Sequence, residues 1–408
     1  MGDVTQTARE RAEAVARHSY GKLVAIVAAR TGDVAGAEDA LSDAFATALA
    51  EWPAYGIPTS PEAWLLTVAR RKTIDASRRR RTRHDAATTL RLLADEAETA
   101  DMPLPDDRLA LMFACAHPAI DPAIRAPLML QTVLGFDAAT IASAFLVSPA
   151  SMGQRLVRAK AKIRQAGIPF RLPEADEMAD RLASVLDAIY ATFTAGWADA
   201  NQRNLSGEAI WLARVLVALL PDQAEGCGLL ALMLYADARR AARRDADGAY
   251  VPLAAQDTAQ WVGTTIAEAE TLLHRAAAMG TPGRYQLEAA IQSAHVARRR
   301  SGRTDWSAIV SLYDALAAIT GSPVVAINRA VAVAALRGPA AGLAALDDAA
   351  SDPRIADYQP YWAARADLLA QLGDRAGASE AYGRAIGLEA DPAVRRFLQQ
   401  RQAATSSC

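Results

Sequence analysis

Apolar residues in this chain recur at intervals of three and four and almost nowhere alternate. Leu41, Phe45, Ala48, Leu49 and Trp52 form one such stripe, and Met152, Leu156, Ala159 and Ile163 another. Residues spaced this way share one face of a 3.6-residue helix, whereas a half-buried strand needs a period of two. Alanine is abundant throughout and only 6% of residues are aromatic, so long stretches lack the β-branched alternation of strands. The pattern predicts an all-α protein. With 408 residues, 52% of them apolar, there is material for two or three domains with real cores.

No apolar run approaches the ~20 residues that span a bilayer. The N-terminus, MGDVTQTARERAEAV, lacks the apolar segment of a secretion signal. The expectation is a cytoplasmic protein with no membrane partner. Cys115, Cys227 and Cys408 stand far apart and make neither a disulfide framework nor a CxxC pair.

The net charge of −2 hides a strong asymmetry. Residues 1–84 carry 13 Lys/Arg against 10 Asp/Glu, and residues 108–171 carry eight against two. Between them, residues 85–107 hold one base and seven acids, and residues 172–408 are mildly acidic, with 22 against 27. Two basic segments separated by an acidic tether form the electrostatic footprint of a polyanion binder.

Turn chemistry divides the chain further. Thr31-Gly32-Asp33 separates a helix over 6–30 from one over 37–52, and the loop Pro53–Pro61 follows, with Ser60 as N-cap and Pro61 as first helical residue of a helix to about 81. Residues 85–107, with Pro103 and Pro105, read as a linker with a short helix around 90–97. Asp121-Pro122, Asp137 and Ser148-Pro149 open three helices of a second compact unit over 108–171. Residues 172–408 read as a run of helices, among them 223–244, 258–279 and 284–300. A shift of 36 residues aligns Ala330 with Ala366, Val333 with Leu369, Gly342 with Ala378, Leu346 with Tyr382, and Ala349 with Ala385. Small residues recurring where two helices approach closely are the logic of a helical-hairpin repeat.

Nothing in the chain reads as catalytic. GxxxxGK[ST], HExxH, GxSxG and GxGxxG are all missing, and His18, His84, His117, His274 and His295 have no metal-ligand spacing. Cys115-Ala116-His117 reads as a buried cysteine beside a helix-end histidine, and Asp245-Ala246-Asp247-Gly248 as a turn rather than a calcium loop. No enzyme activity, cofactor or metal is expected.

The basic helices carry the functional signal. Between Arg70 and Arg83 stand eight bases, including Arg71, Lys72, Arg78 and Arg79, against the one acid Asp75. Such density repels itself unless a polyanion neutralises it, and binding through it is strongly salt-dependent. Residues 136–164, FDAATIASAFLVSPASMGQRLVRAKAKIR, fit a helix-turn-helix with Ile141 and Ala142 inward and Val147 at the turn. The second helix leaves Ser151, Gln154, Arg155 and Arg158 facing outward near its start, where side chains enter a major groove. Lys160, Lys162 and Arg164 lie nearer its end, where phosphates are met.

At these residues the chain resembles the extracytoplasmic-function sigma factors of bacterial RNA polymerase. The resemblance rests on Ala37-Glu38-Asp39-Ala40-Leu41-Ser42-Asp43-Ala44-Phe45, on Pro61-Glu62-Ala63-Trp64-Leu65-Leu66-Thr67-Val68-Ala69-Arg70-Arg71-Lys72-Thr73-Ile74-Asp75, and on the helix-turn-helix. Arg71 stands where that family usually has Asn. Downstream, Asp237-Ala238-Arg239-Arg240-Ala241-Ala242-Arg243 and Ser322-Pro323-Val324-Val325-Ala326-Ile327-Asn328-Arg329-Ala330 are similar to the subgroup with a tetratricopeptide-like C-terminal extension. The resemblance implies a sigma region 2 helical bundle over 1–84, a linker over 85–107, a sigma region 4 domain over 108–171 and a tetratricopeptide-like array over 172–408.

It also implies roles. Glu38, Asp39, Ser42 and Asp43 would dock on core RNA polymerase, with Phe45 in the core or at that interface. Tyr55, Gly56, Ile57 and Pro58 would receive a flipped minus-10 base, while Arg70, Arg71, Lys72, Arg78 and Arg79 would hold the strand backbone. Trp64 is expected in the core. Ser151, Gln154, Arg155, Arg158, Lys160 and Lys162 would contact the minus-35 promoter DNA. The acidic linker would imitate RNA in a basic channel or serve as a plain tether. The array would take a protein or ligand partner. The other readings are a helix-turn-helix regulator with a sensor domain, acting without polymerase, and an enzyme hidden in the array.

Overall fold

The computed structural model describes residues 2–80, 107–145, 147–198, 205–280, 282–349 and 355–407. It is all-α: nineteen α-helices and no strand occur among the described residues. The acidic linker falls outside them apart from Asp107. Two compact units divide between Val215 and Leu216.

In the first unit, α1 (Gly2–Thr31), α2 (Val34–Tyr55) and α3 (Pro61–Arg80) pack on one another. The stripe expected on α2 is inward, with Leu41, Ala48 and Trp52 buried, although Leu49 is exposed. Asp33 caps α2 by accepting the Gly36 N–H at 3.1 Å. This helix runs three residues further than the Pro53 loop start predicts. Pro53 sits in the last turn, and the chain turns only at Gly56, whose φ of 91° closes the helix with an N–H bond to the Trp52 carbonyl. Trp64 of α3, expected in the core, is half-buried and meets the buried Trp52 edge-on at 5.6 Å.

Four more helices follow: α4 (Arg108–Cys115), α5 (Pro122–Leu134), α6 (Ala138–Ala144) and α7 (Pro149–Gln165). Asp121 and Ser148 cap α5 and α7, each with proline at the first helical position. Cys115 is buried with its Sγ 3.2 Å from Thr132 Oγ1, and burial pushes its thiol up to about 12. The stripe Met152, Leu156, Ala159 and Ile163 is buried as its spacing requires, together with Ile141 and Ala142.

These helices do not stand apart from α1. Gly21 of α1 lies against α5 so closely that an added Cβ would sit 2.8 Å from the Val133 carbonyl carbon and closer still to its oxygen. Helix α8 (Ala175–Ala198) packs on α4 and α5. Its buried Arg181 donates to the Phe113 carbonyl at 3.0 Å, and Arg125 of α5 reaches Ser184 at 3.3 Å. The first unit therefore continues past residue 171, through α8 and into α9 (Leu205–Leu219), whose Trp211 ring lies 4.9 Å from the Arg108 guanidinium.

The second unit begins within α9 and holds α10 (Ala224–Asp237), α11 (Gly263–Ala278), α12 (Arg284–Val296), the one-turn α13 (Arg298–Ser301) and α14 (Trp306–Thr320). The helix expected to reach residue 244 stops at Asp237, and the one expected from 258 begins at Gly263. Arg239 Nε donates to the Tyr235 carbonyl at 3.1 Å and so satisfies one of the last-turn acceptors. Residues 238–262 then run through three short 3₁₀ turns, with Asp245 accepting from Asp247 and Ala249 N–H groups in the tight turn foreseen there.

Two helix pairs come next, α15 (Pro323–Arg337) with α16 (Pro339–Ala349) and α17 (Gln359–Gln371) with α18 (Arg375–Leu388), before α19 (Pro392–Ser407). Of the positions aligned by the 36-residue shift, two pairs match in burial. Ala330 and Ala366 are fully buried where the helices of each pair cross, and Leu346 and Tyr382 are buried in the second helix of each. No described helix is long and apolar enough to cross a membrane.

Candidate nucleic-acid interface

Three surfaces of the first unit carry the residues singled out in the sequence. On α2, Asp39, Ser42 and Asp43 are exposed and form an acidic edge, while Phe45 is half-buried. Lys72 of α3 approaches Asp43 at 4.0 Å across solvent, a contact of little energy. Glu38 is different. Its Oε2 accepts from Lys160 Nζ of α7 at 2.6 Å, both side chains are nearly enclosed, and its Oε1 is buried with no partner among the described residues. Burial raises the Glu38 carboxyl above its ordinary pKa despite the ammonium beside it. One turn earlier, Asp33 receives Arg164 Nη1 at 3.2 Å. Tyr20, half-buried beneath this pair, is held protonated by its burial and by the Glu38 and Asp39 charges.

The last residue of α2 is Tyr55, 87% exposed, and the turn that follows presents Ile57. A tyrosine left this open leaves a ring face free for stacking, and the positive-φ Gly56 lets backbone approach closely. Behind it on α3, Arg71 and Lys72 are exposed, but Arg70 is only 3% exposed, carried inward with Leu66 and Ala69. Arg70 therefore does not offer its guanidinium to a strand backbone in this conformation. The side chains of Arg78 and Arg79 lie outside the described residues.

On α7, Ser151, Gln154, Arg158 and Lys162 are exposed and Arg155 is half-exposed. At roughly 100° per residue these five fall within about one third of the helix circumference, away from the buried stripe. Arg155, Arg158 and Lys162 line a cleft of about 400 Å³ whose other wall is Ile120, Asp121 and Ile124. Lys160 departs from the expected set. It sits about 180° round the helix from Ser151, is 9% exposed, and is committed to Glu38. Its placement with the phosphate-contacting residues followed its position near the helix end and overlooked its angle. Asp33 and Arg164 complete the same seam, and Asp33 was singled out in the sequence only as a turn residue.

Comparison with known proteins fits these surfaces. Sigma-70 region 2 matches residues 15–83, the stretch that holds α2, the Tyr55 turn and α3. A family of unknown function, DUF6596, matches residues 181–277. An uncharacterised protein of Rhizobium meliloti (strain 1021) is 40% identical over 378 residues, covering 90% of this chain and 89% of its own length. The chain belongs to the family of that Rhizobium protein. Its N-terminal part is similar to the region 2 domain of sigma-70 factors, which supports a sigma-70 role. No solved structure matches it.

Proposed function

We propose that this chain is a sigma factor that binds core RNA polymerase and directs promoter recognition. It docks through the acidic edge of α2, reads the minus-35 element with α7, and captures and melts the minus-10 element with the Tyr55–Pro58 turn and the basic end of α3. It acts as a non-catalytic initiation factor, and its second unit regulates it as a tetratricopeptide-like interaction module. The reading is carried by one coincidence: the residues matched by sigma-70 region 2 are those that present an open tyrosine, an acidic helix edge and a basic helix within one small bundle. Duplex-reading chemistry on α7 supports it, since Gln and Arg on one outward stripe pair with base edges at ~1–3 kcal/mol per bidentate contact.

In the conformation described, Glu38 of α2 and Lys160 of α7 are paired with each other, so docking falls to Asp39, Ser42 and Asp43 and promoter reading to the outward stripe of α7.

Run-off transcription with purified core polymerase tests the reading. Full-length protein should make initiation from a cognate promoter depend on its addition, and promoter-independent or absent initiation by the holoenzyme would reject it. Within that assay, Arg158→Ala or Arg155→Ala should lower discrimination between cognate and scrambled minus-35 sequences by about 1–3 kcal/mol, with core affinity retained. Equal loss on every sequence would mean that these arginines meet only phosphates. Charge reversal of Asp39 and Asp43 to Lys should instead weaken core association about tenfold or more, the scale of opposing charges at an interface, measured by competition for core polymerase.

A further inference from the structure

The second unit holds a cavity of about 550 Å³ that nothing above uses. Its polar lining comes from separate elements: His295 of α12, Arg298 of α13, Tyr313 of α14 and Asn328 of α15, with Thr304 from the loop before α14. Trp306, Val331 and Ala332 supply apolar walls, and Leu253 and Ala254 of the 3₁₀ segment close one side. This is the size and make-up of a small-molecule site, mostly apolar with a few placed polar groups.

The charge of the cavity is one-sided. No carboxylate is among its lining residues, and Arg298 is the charged one. Arg298 donates to the carbonyls of Ala254, Leu253 and Gln256 at 3.2, 2.9 and 3.3 Å, which spends three of its five N–H groups and leaves two. Its guanidinium lies 5.2 Å from the Trp261 ring centre, and Arg239 lies 5.9 Å from the same ring. Neither arginine makes an ion pair among the described residues, so two cations share one indole with carbonyls and an amide as their polar partners. Arg239 gives its remaining contact to Gln292. Burial against Trp306 holds the His295 imidazole neutral, with the two arginine charges adding to the effect, and Tyr313 stays protonated because burial pushes its hydroxyl up to about 12. Every titratable group in the lining is thus cationic or neutral at pH 7.

We infer that this cavity binds a small organic monocarboxylate with an apolar or aromatic body, its carboxylate at Arg298 and its body between Trp306 and Val331. One guanidinium with two N–H groups to give matches a single negative charge, and the remaining donors are neutral ones. An apolar floor argues against a free inorganic anion, which would leave that surface wet.

Isothermal titration of the full-length chain with phenylacetate, indole-3-acetate and octanoate tests this, with 2-phenylacetamide as the neutral counterpart of the first. At least one carboxylate should bind saturably with one equivalent, and the amide should bind about tenfold or more weakly than phenylacetate, the scale of one charge-assisted hydrogen bond. Arg298→Gln should bring phenylacetate down to the level of the amide. Because Arg298 also holds residues 253–256, the second variant is Val331→Phe, which narrows the cavity from a position 42% exposed and should abolish binding in a chain of unchanged circular dichroism. Absence of saturable binding by all three carboxylates, equal binding of amide and acid, or binding undiminished in Val331→Phe would overturn the inference. Neither polymerase nor promoter enters the measurement, so its outcome is independent of the transcription test.

Discussion

Exchange of Lys160 for Met is expected to destabilise the first unit by about 3–5 kcal/mol, the scale of removing one partner from a buried ion pair. The substitution leaves the Glu38 carboxylate enclosed with no cation, and its second oxygen is already without a partner. The change is local to the seam between α2 and α7, so hydrogen exchange of the full-length chain should accelerate at 34–55 and 149–165 ahead of the second unit. Pairing the change with Glu38→Leu should restore stability to the wild-type level or above it. Burial already raises the Glu38 carboxyl in spite of its lysine, so the pair gains little over apolar side chains of similar volume. A single-variant loss below about 1 kcal/mol would mean that the seam is open to water. The double variant also separates stability from function, because Asp33 and Arg164 would be left as the sole ion pair across that seam among the described residues.

Gly21→Ala is the second large effect expected, about 3 kcal/mol of destabilisation, at the upper end for overpacking. The obstacle is the backbone carbonyl of Val133, which cannot rotate away as a side chain could, so α1 must move off α5. The same substitution at Gly153 of α7 should have the opposite sign. Nothing lies within 4 Å of its added methyl, and alanine in a helix is better than glycine by roughly 0.5–1 kcal/mol. Urea unfolding of the two variants side by side gives the comparison, and a Gly21→Ala variant as stable as Gly153→Ala would show that the α1–α5 approach is looser than described.

Much of this was legible locally. The stripe Met152, Leu156, Ala159 and Ile163 told which face of α7 is buried, and the caps Asp121 and Ser148 told where α5 and α7 start. The outward set Ser151, Gln154, Arg155 and Arg158 followed from the same angle, with Arg155 half-exposed. Where the reading missed, a longer-range term won. The helix-forming run around 238–244 breaks after Asp237, where Arg239 reaches Gln292 of α12 and the Ala238 carbonyl accepts the Val262 N–H at 3.0 Å. Arg70 sits in the densest basic run of the chain, yet its place on α3 beside Leu66 and Ala69 turns it inward.

The helical period, the caps and the uneven charge are properties of neighbouring residues, and on their own they determined an all-α chain with two basic helices around an acidic tether. Which of those charges stay available was decided only by the tertiary structure. Glu38 and Lys160 are 122 residues apart, and a sequence with 44 bases and 46 acids offers every one of them some opposite charge. The choice among those pairings was made by apolar packing: Gly21 lets α1 lie against α5, which sets α7 beside α2 and leaves these two side chains no water to turn to.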